Sequence, residues 1–319
     1  MFYIDQSSDT FIYAKDEHYT NIRYIIKKKL LGKDFREAHP KRLTKRINQV
    51  TGIHSSVRNF LADENNIKAI LIGTPEVLDN LKNRFKSKKQ RESIKKIFNY
   101  DAFINKETDQ TFGFYNAYHL AENLSINTCV YCNRLYTHTI ITDKQEFIAR
   151  PTFDHWFPKS EFPLLALSFY NLIPSCSVCN SSIKGRSTMD LNKIFHPYLK
   201  HTENIRQLNF NFSYTLEDHL AAESKLNCFN TFSEDSIVAM KLREIYRAHR
   251  EEIRELIYLK KAYSDGYLSS LNSILKTQLS KEEIYRLAFG VYLEDEQLIK
   301  RPLSKLKKDI LDELGLLKR

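Results

Sequence analysis

Cys129-Val-Tyr-Cys132, then Asp154-His155-Trp156-Phe157-Pro158, then Asn171-Leu172-Ile173-Pro174-Ser175-Cys176-Ser-Val-Cys179-Asn180: these motifs decide how the rest of the chain is read. Two residues between paired cysteines let both thiolates reach one ion, and two such knuckles complete a tetrahedral Zn²⁺ site with no open position. Cys129, Cys132, Cys176 and Cys179 are therefore the candidate ligands of a structural zinc, a staple across the 43 residues that separate the knuckles. Four unrelated buried cysteines would leave the repeated spacing without a cause. Cys228 stands alone and reads as a small core residue.

Outward from that module, composition sets the class. The chain has 319 residues, 42% of them hydrophobic and 12% aromatic, which is enough for a sizeable core and excludes wholesale disorder. Only 8 Gly and 8 Pro occur, so many-turned all-β and linker-rich designs give way to helices. The net charge of +10 suggests a polyanionic partner, without separating nucleic acid from an anionic membrane surface. The start, Met1-Phe-Tyr-Ile-Asp-Gln-Ser-Ser-Asp9, lacks the marks of a signal peptide. The longest apolar stretches, residues 68–73 and 162–174, are too short or interrupted to cross a bilayer. A cytoplasmic protein is expected, and in that reducing compartment close cysteine pairs point to metal before disulfide.

Three regions follow. Residues 1–111 read as basic and mostly helical, with helices expected over 21–31, 41–57 and 75–100. The first is followed by the basic run Lys27, Lys28, Lys29; the last carries Lys86, Lys88, Lys89 and Arg91, which are either a solvated face or a phosphate-contacting surface. Residues 112–232 hold the cysteines, with β-rich segments at 135–142 and 145–153 around a turn at Asp143-Lys144, and a strand at 205–215. Residues 233–319 return to helix: one from a Ser233 cap towards Tyr263, two more at 267–279 and 281–292, and a last one over 303–316 opened by Pro302 in its first turn. The absence of a Pro/Gly/Ser linker predicts that the helical flanks pack onto the central module. The expected fold class is α+β, predominantly α.

The order Asp154-His155, Asn171, Asn180, set between zinc knuckles, resembles the HNH endonuclease family, the ββα-metal nucleases. The match covers about residues 128–186. It implies a hairpin and a helix that hold one divalent ion, Mg²⁺ or another, separate from the zinc. By that resemblance His155 takes the proton from an attacking water, Asp154 and Asn180 hold the ion, and Asn171 fixes the loop between strands and orients the His155 ring. Asn180 stands where many members have His and still offers an oxygen to a hard cation. Lys159, Lys184 and Arg186 are placed to meet phosphates, although residues of this kind are more often solvated charges. The implied activity is hydrolysis of phosphodiester bonds, foremost in DNA.

The segments around His119 and Arg301-Pro302 further resemble bacterial HNH proteins of antiviral defence loci, which are often paired with an ATPase. This chain carries no GxxxxGK[ST] loop, so nucleotide control would come from a partner. Two rivals remain open: a nuclease acting on RNA, including tRNA, and a catalytically silent zinc ribbon that only binds nucleic acid. The Arg243-x5-His249 spacing, seen in some helical ribonucleases, reads as chance, and His196-Pro-Tyr198 as a packed loop.

Overall fold

In the computed structural model, residues 1–38, 47–105, 114–144, 146–199, 208–216, 222–262, 270 and 280–317 are described. The longest helix, Asp9–Leu31, starts where the Ser8 hydroxyl accepts the Phe11 N–H and stops at Gly32, whose φ of 60° a side chain would strain. Phe11, Ala14, His18, Ile22, Ile26 and Leu30 recur at three- and four-residue steps, so one stripe of this helix is buried. That stripe packs against helices Glu64–Ile72 and Ala117–Leu124. The run Lys27 to Lys29 is not a free basic patch: Lys27 pairs with Glu64, and buried Lys29 donates to the Ile97 carbonyl at 3.0 Å.

The helix expected over 75–100 is two helices, Pro75–Leu81 and Lys88–Ile97. Between them Phe85 turns into the core, and Ser87 with Gln90 forms a reciprocal capping box that starts the second helix afresh. The helix expected over 41–57 begins only at Ser55; residues 47–54 are irregular, and 41–46 lie outside the described residues.

Among the described residues six strands form three two-stranded antiparallel sheets: β1 (Ile140–Ile141) with β2 (Phe147–Ala149), β3 (Thr152–His155) with β4 (Leu172–Ser175), and β5 (Phe210–Leu216) with β6 (Ala222–Cys228). The second expected β segment therefore splits, since β2 turns back on β1 while β3 pairs with a strand much further along. Helix outweighs strand, and the fold is a mixture of the two with small sheets.

In the C-terminal region Asn230, not Ser233, caps the first helix, Thr231–Ala239. Lys241, at φ 47°, breaks the chain into further helices Leu242–Tyr246 and Arg250–Ala262. The helix expected over 267–279 falls almost wholly outside the described residues. Helix Lys281–Phe289 ends at Gly290, and the last helix is Ser304–Glu313, with Pro302 ahead of it rather than in its first turn. Helices Arg250–Ala262 and Ser304–Glu313 pack on the β5–β6 ribbon. No helix among the described residues is long and apolar enough to cross a membrane.

His18, absent from the sequence reading, fastens the first helix to the centre. Its Nε2–H donates to the Leu167 carbonyl at 2.8 Å, and Nδ1 accepts from the Tyr115 hydroxyl at 3.2 Å. Burial lowers its pKa from 6.5 to about 4, so the ring is neutral at pH 7. The sign of the linkage follows. Below 6.5 the unfolded chain takes up a proton that the folded one refuses until about 4, so stability falls with pH across that window. The full effect is about 3 kcal/mol. Denaturant titrations from pH 7 to 4 should give wild type a steeper loss than His18→Asn; parallel slopes would contradict the assignment.

Candidate metal centre and the adjoining histidine

Each knuckle is shaped by its own backbone. In the first, Asn133 N–H closes onto the Cys129 carbonyl at 2.8 Å, Arg134 N–H points at Cys132 Sγ at 3.4 Å, and Asn133 takes the left-handed φ of 52° that Asn tolerates. In the second, Cys179 N–H points at Cys176 Sγ at 3.5 Å, and Asn180 N–H closes onto the Cys176 carbonyl at 3.0 Å. The four cysteines are buried and unbridged, and their sulfurs all lie within 4.8 Å of one another. A tetrahedral ZnS₄ centre with Zn–S near 2.3 Å needs sulfurs about 3.8 Å apart. The Cys132 and Cys176 sulfurs are 4.0 Å apart, so the residues fit that ion. Without a cation the thiols conflict: burial pushes Cys129 up, while hydrogen bonds from the neighbouring thiols pull Cys176 down. Four buried cysteines so placed can hold a metal ion such as zinc.

The first knuckle also anchors both ends of the chain. Phe2 N–H donates to the Val130 carbonyl at 2.8 Å, and the Asn133 side chain, fully buried, donates to the carbonyls of Leu298 and Arg301 at 3.0 and 3.1 Å. The Tyr246 hydroxyl donates to the Cys132 carbonyl. These bonds cross from the central region into both flanks.

Between the knuckles, β3 and β4 pair Asp154 with Ile173 and His155 with Leu172, and the chain then passes through Cys176 into a π-helical turn, Val178–Lys184. Strand alternation sends Asp154 and His155 to opposite faces. His155 is 8% exposed. Its Nε2–H donates to the Ala166 carbonyl at 3.0 Å, and the Tyr100 ring meets its ring edge-on at 4.4 Å. A carbonyl can only accept, so the proton sits on Nε2 and Nδ1 keeps its lone pair. Burial lowers the pKa of His155 to about 4, against the pull of the Ala166 carbonyl, so the ring is neutral at pH 7.

Asn171 holds the loop that carries Ala166. Its amide nitrogen donates to the carbonyls of Phe157 and Leu165 at 3.1 and 2.9 Å, and its Oδ1 accepts from Phe157 N–H at 2.7 Å. Fully buried, it places the carbonyl partner of His155 through the neighbouring Leu165.

Asp154 is buried and closed. The Tyr131 hydroxyl, from inside the first knuckle, donates to Oδ2 at 2.6 Å, and the Lys184 ammonium lies 3.1 Å from Oδ1. Burial pushes the carboxyl up while Lys184 and Tyr131 pull it down. Lys184 is thereby corrected from phosphate contact to buried partner: its side chain is 0% exposed and also donates to the His155 carbonyl at 2.7 Å. The expected divalent ion finds no fit at Asp154 in this arrangement, because both carboxylate oxygens are taken. Asn180, one turn before Lys184, is half-exposed, and its side chain makes no hydrogen bond among the described residues.

The other candidates spread over the surface. Lys159 pairs with Asp101 and lies over the Tyr100 ring at 4.8 Å; Arg186 is exposed. Lys86, Lys88 and Lys89 are exposed and Arg91 is half-buried. Helix Lys88–Ile97 packs on the turn Pro163–Leu165 just before Ala166. There a cleft of about 270 Å³ is lined by Lys95, Asn99, Tyr100, Lys159 and Ala166 among others, so it opens beside two residues that touch His155. Arg243 and His249 serve separate pairs, Arg243 with Glu234, and His249 between Arg134 and Glu252. His196 is buried against Trp156.

Sequence reasoning missed Tyr131 and Tyr100. Tyr131 had one available signal, its place between two cysteines that face a buried carboxylate; nothing in the sequence marked Tyr100. Comparison with known protein families, with characterised proteins and with solved structures gave no match to this chain.

Proposed function

We propose that this chain is a nuclease of the HNH, ββα-metal kind that hydrolyses phosphodiester bonds, with DNA as the first substrate. The observation that carries the reading is His155: neutral, its Nε2–H tied to the Ala166 carbonyl, its Nδ1 free to accept a proton, on a hairpin whose loop Asn171 clamps. A silent zinc ribbon has no use for such a ring. In the proposed chemistry Nδ1 takes the proton of a water attacking phosphorus, in line with the departing 3′ oxygen, to leave 5′-phosphate and 3′-hydroxyl ends. Asn171 keeps the ring in that tautomer and orientation through the loop. A divalent ion held beside this hairpin would supply charge stabilisation at the phosphate. The antiviral setting and a separate ATPase partner belong to the same proposal and rest on the motif resemblance alone.

The basic helix beside the cleft supports a polyanionic substrate. Replacing Lys86, Lys88, Lys89 and Lys95 with Gln should weaken DNA binding and flatten its dependence on salt, by about one slope unit per lost phosphate contact. Unchanged affinity and slope would make this helix a solvated face. The reading as a whole is tested by incubating pure protein with plasmid DNA, single-stranded DNA and RNA across Mg²⁺, Mn²⁺ and Ni²⁺. Nicked or linear DNA supports it; cleavage of RNA alone favours the RNA nuclease, and binding without cleavage favours the zinc ribbon.

A further inference from the structure

The cleft of about 270 Å³ between helix Lys88–Ile97 and the turn after β3 has no assigned part in the chemistry proposed for His155. Its polar rim is made of donors. Lys95 is exposed and joins no ion pair among the described residues. Asn99 caps the helix Tyr100–Ile104 through its Oδ1, which accepts the Ala102 N–H at 3.1 Å. The two N–H groups of its amide, and the Ser160 hydroxyl, make no hydrogen bond among the described residues. Lys159 is the fourth donor, its ammonium 4.8 Å from the Tyr100 ring centre and paired with Asp101. That pair is a surface one, with side chains 40% and 80% exposed, so it holds the ammonium weakly. Below the rim, Phe98, Pro163 and Ala166 form an apolar floor. Two ammonium groups, an amide and a hydroxyl against one carboxylate suit an anion, and the floor suits the carbon face of a sugar.

The cleft also adjoins the histidine. Tyr100 carries Lys159 over its face and meets the His155 ring edge-on. Ala166, in the floor, supplies the carbonyl that accepts the His155 Nε2–H. The geometry points to this cleft as a phosphodiester site, in which Lys95, Asn99, Lys159 and Ser160 hold one backbone phosphate of a nucleic-acid strand beside His155. The inference rests on the nuclease reading for the use made of that phosphate, but its binding is read without cleavage. The donors come from two places, the end of helix Lys88–Ile97 with the Asn99 cap, and the turn after β3. Contacts from both sides fix the path of the strand past the ring, as phosphate contacts do when they position rather than specify. Seating the phosphate draws Lys159 away from Asp101, so Asp101 lowers the affinity by holding the ammonium back.

The experiment measures fluorescence polarisation of a labelled oligonucleotide without added divalent cation. Zinc-loaded protein carrying His155→Ala is used throughout, so that the strand stays whole. Lys159→Gln and Lys95→Gln should each weaken binding several-fold and lower the salt slope by about one unit. Lys96→Gln makes the same charge change one residue along the helix and outside the cleft, and should do less. Asn99→Asp keeps the helix cap but sets a carboxylate where the amide was. Affinity should then fall roughly tenfold while the melting temperature holds. Asp101→Asn, which releases Lys159, should tighten binding about two- to fivefold. Inorganic phosphate titrated into the same proteins separates a strand from free phosphate as the ligand. Phosphate that binds far more weakly than the oligonucleotide supports the strand; tight phosphate binding lost in Lys159→Gln, with oligonucleotide affinity unaltered, would overturn it. Equal losses in Lys95→Gln and Lys96→Gln, or unchanged affinity in Lys159→Gln and Asn99→Asp, would overturn the site itself. Wild-type protein that leaves DNA uncut while these variants lose affinity would remove the nuclease reading and leave the phosphate site standing.

Discussion

Cys176→Ser should yield little folded protein, and chelation of the wild type should unfold more than the knuckles. The reason is how much structure hangs on one centre. The four sulfurs are buried within 4.8 Å of one another, and that cluster joins the loop before β1 to the turn after β4. Metal binding of this type contributes about 10–16 kcal/mol to folding in small zinc peptides. A whole domain is typically stable by only about 5–15 kcal/mol. Loss of one thiolate therefore approaches the full stability of the fold. The damage should spread along named bonds: Asn133 releases the Leu298 and Arg301 carbonyls, and Tyr246 releases Cys132. Elemental analysis should find about one zinc per chain. Hydrogen exchange after chelation should rise in residues 298–314 as well as at the knuckles. Zinc-free protein with native exchange rates would contradict the clamp.

What the sequence made legible was local chemistry with a fixed spacing. Two CxxC pairs are constrained by the geometry of one ion, so the four ligands could be read in advance of any fold. The strand at Thr152–His155 was legible in outline, as part of a β-rich segment, but its partner was not, because Leu172–Ser175 lies beyond a loop held in place by distant side chains such as Asn171 and His18. Helix breaks were misjudged where a cap outweighed an unbroken periodic run. Ser87 and Gln90 spelled a capping box inside the helix read over 75–100, and Asn230 stood three residues ahead of the Ser233 taken as a cap.

Charge was the least legible property, since sequence shows a lysine but not its surroundings. Lys184 looked like a surface contact and lies wholly inside; Lys86, Lys88 and Lys89 looked the same and are exposed. Asp154 was read as an open ligand for the same reason, because the Tyr131 hydroxyl that covers it comes from a different part of the chain.

His155→Ala should lower phosphodiester cleavage by about 10²- to 10⁴-fold, the usual worth of a positioned general base. Its side chain makes one hydrogen bond, to the Ala166 carbonyl, and one ring contact, with Tyr100, among the described residues. The loop stays clamped by Asn171, which bonds Phe157 and Leu165 independently of the ring. Zinc content and DNA affinity should therefore remain close to wild type while the rate falls, with a modest loss of stability from the unpaired Ala166 carbonyl. Asn171→Ala should also slow cleavage, but with a larger loss of stability than His155→Ala, because it leaves the Phe157 N–H and carbonyl without their partner and removes one of the two donors to the Leu165 carbonyl. The most direct measurement is the single-turnover rate of plasmid nicking by wild type and His155→Ala at matched DNA occupancy. The account predicts nicking by wild type and a fall of at least about a hundredfold in the variant; equal rates in the two proteins would contradict it.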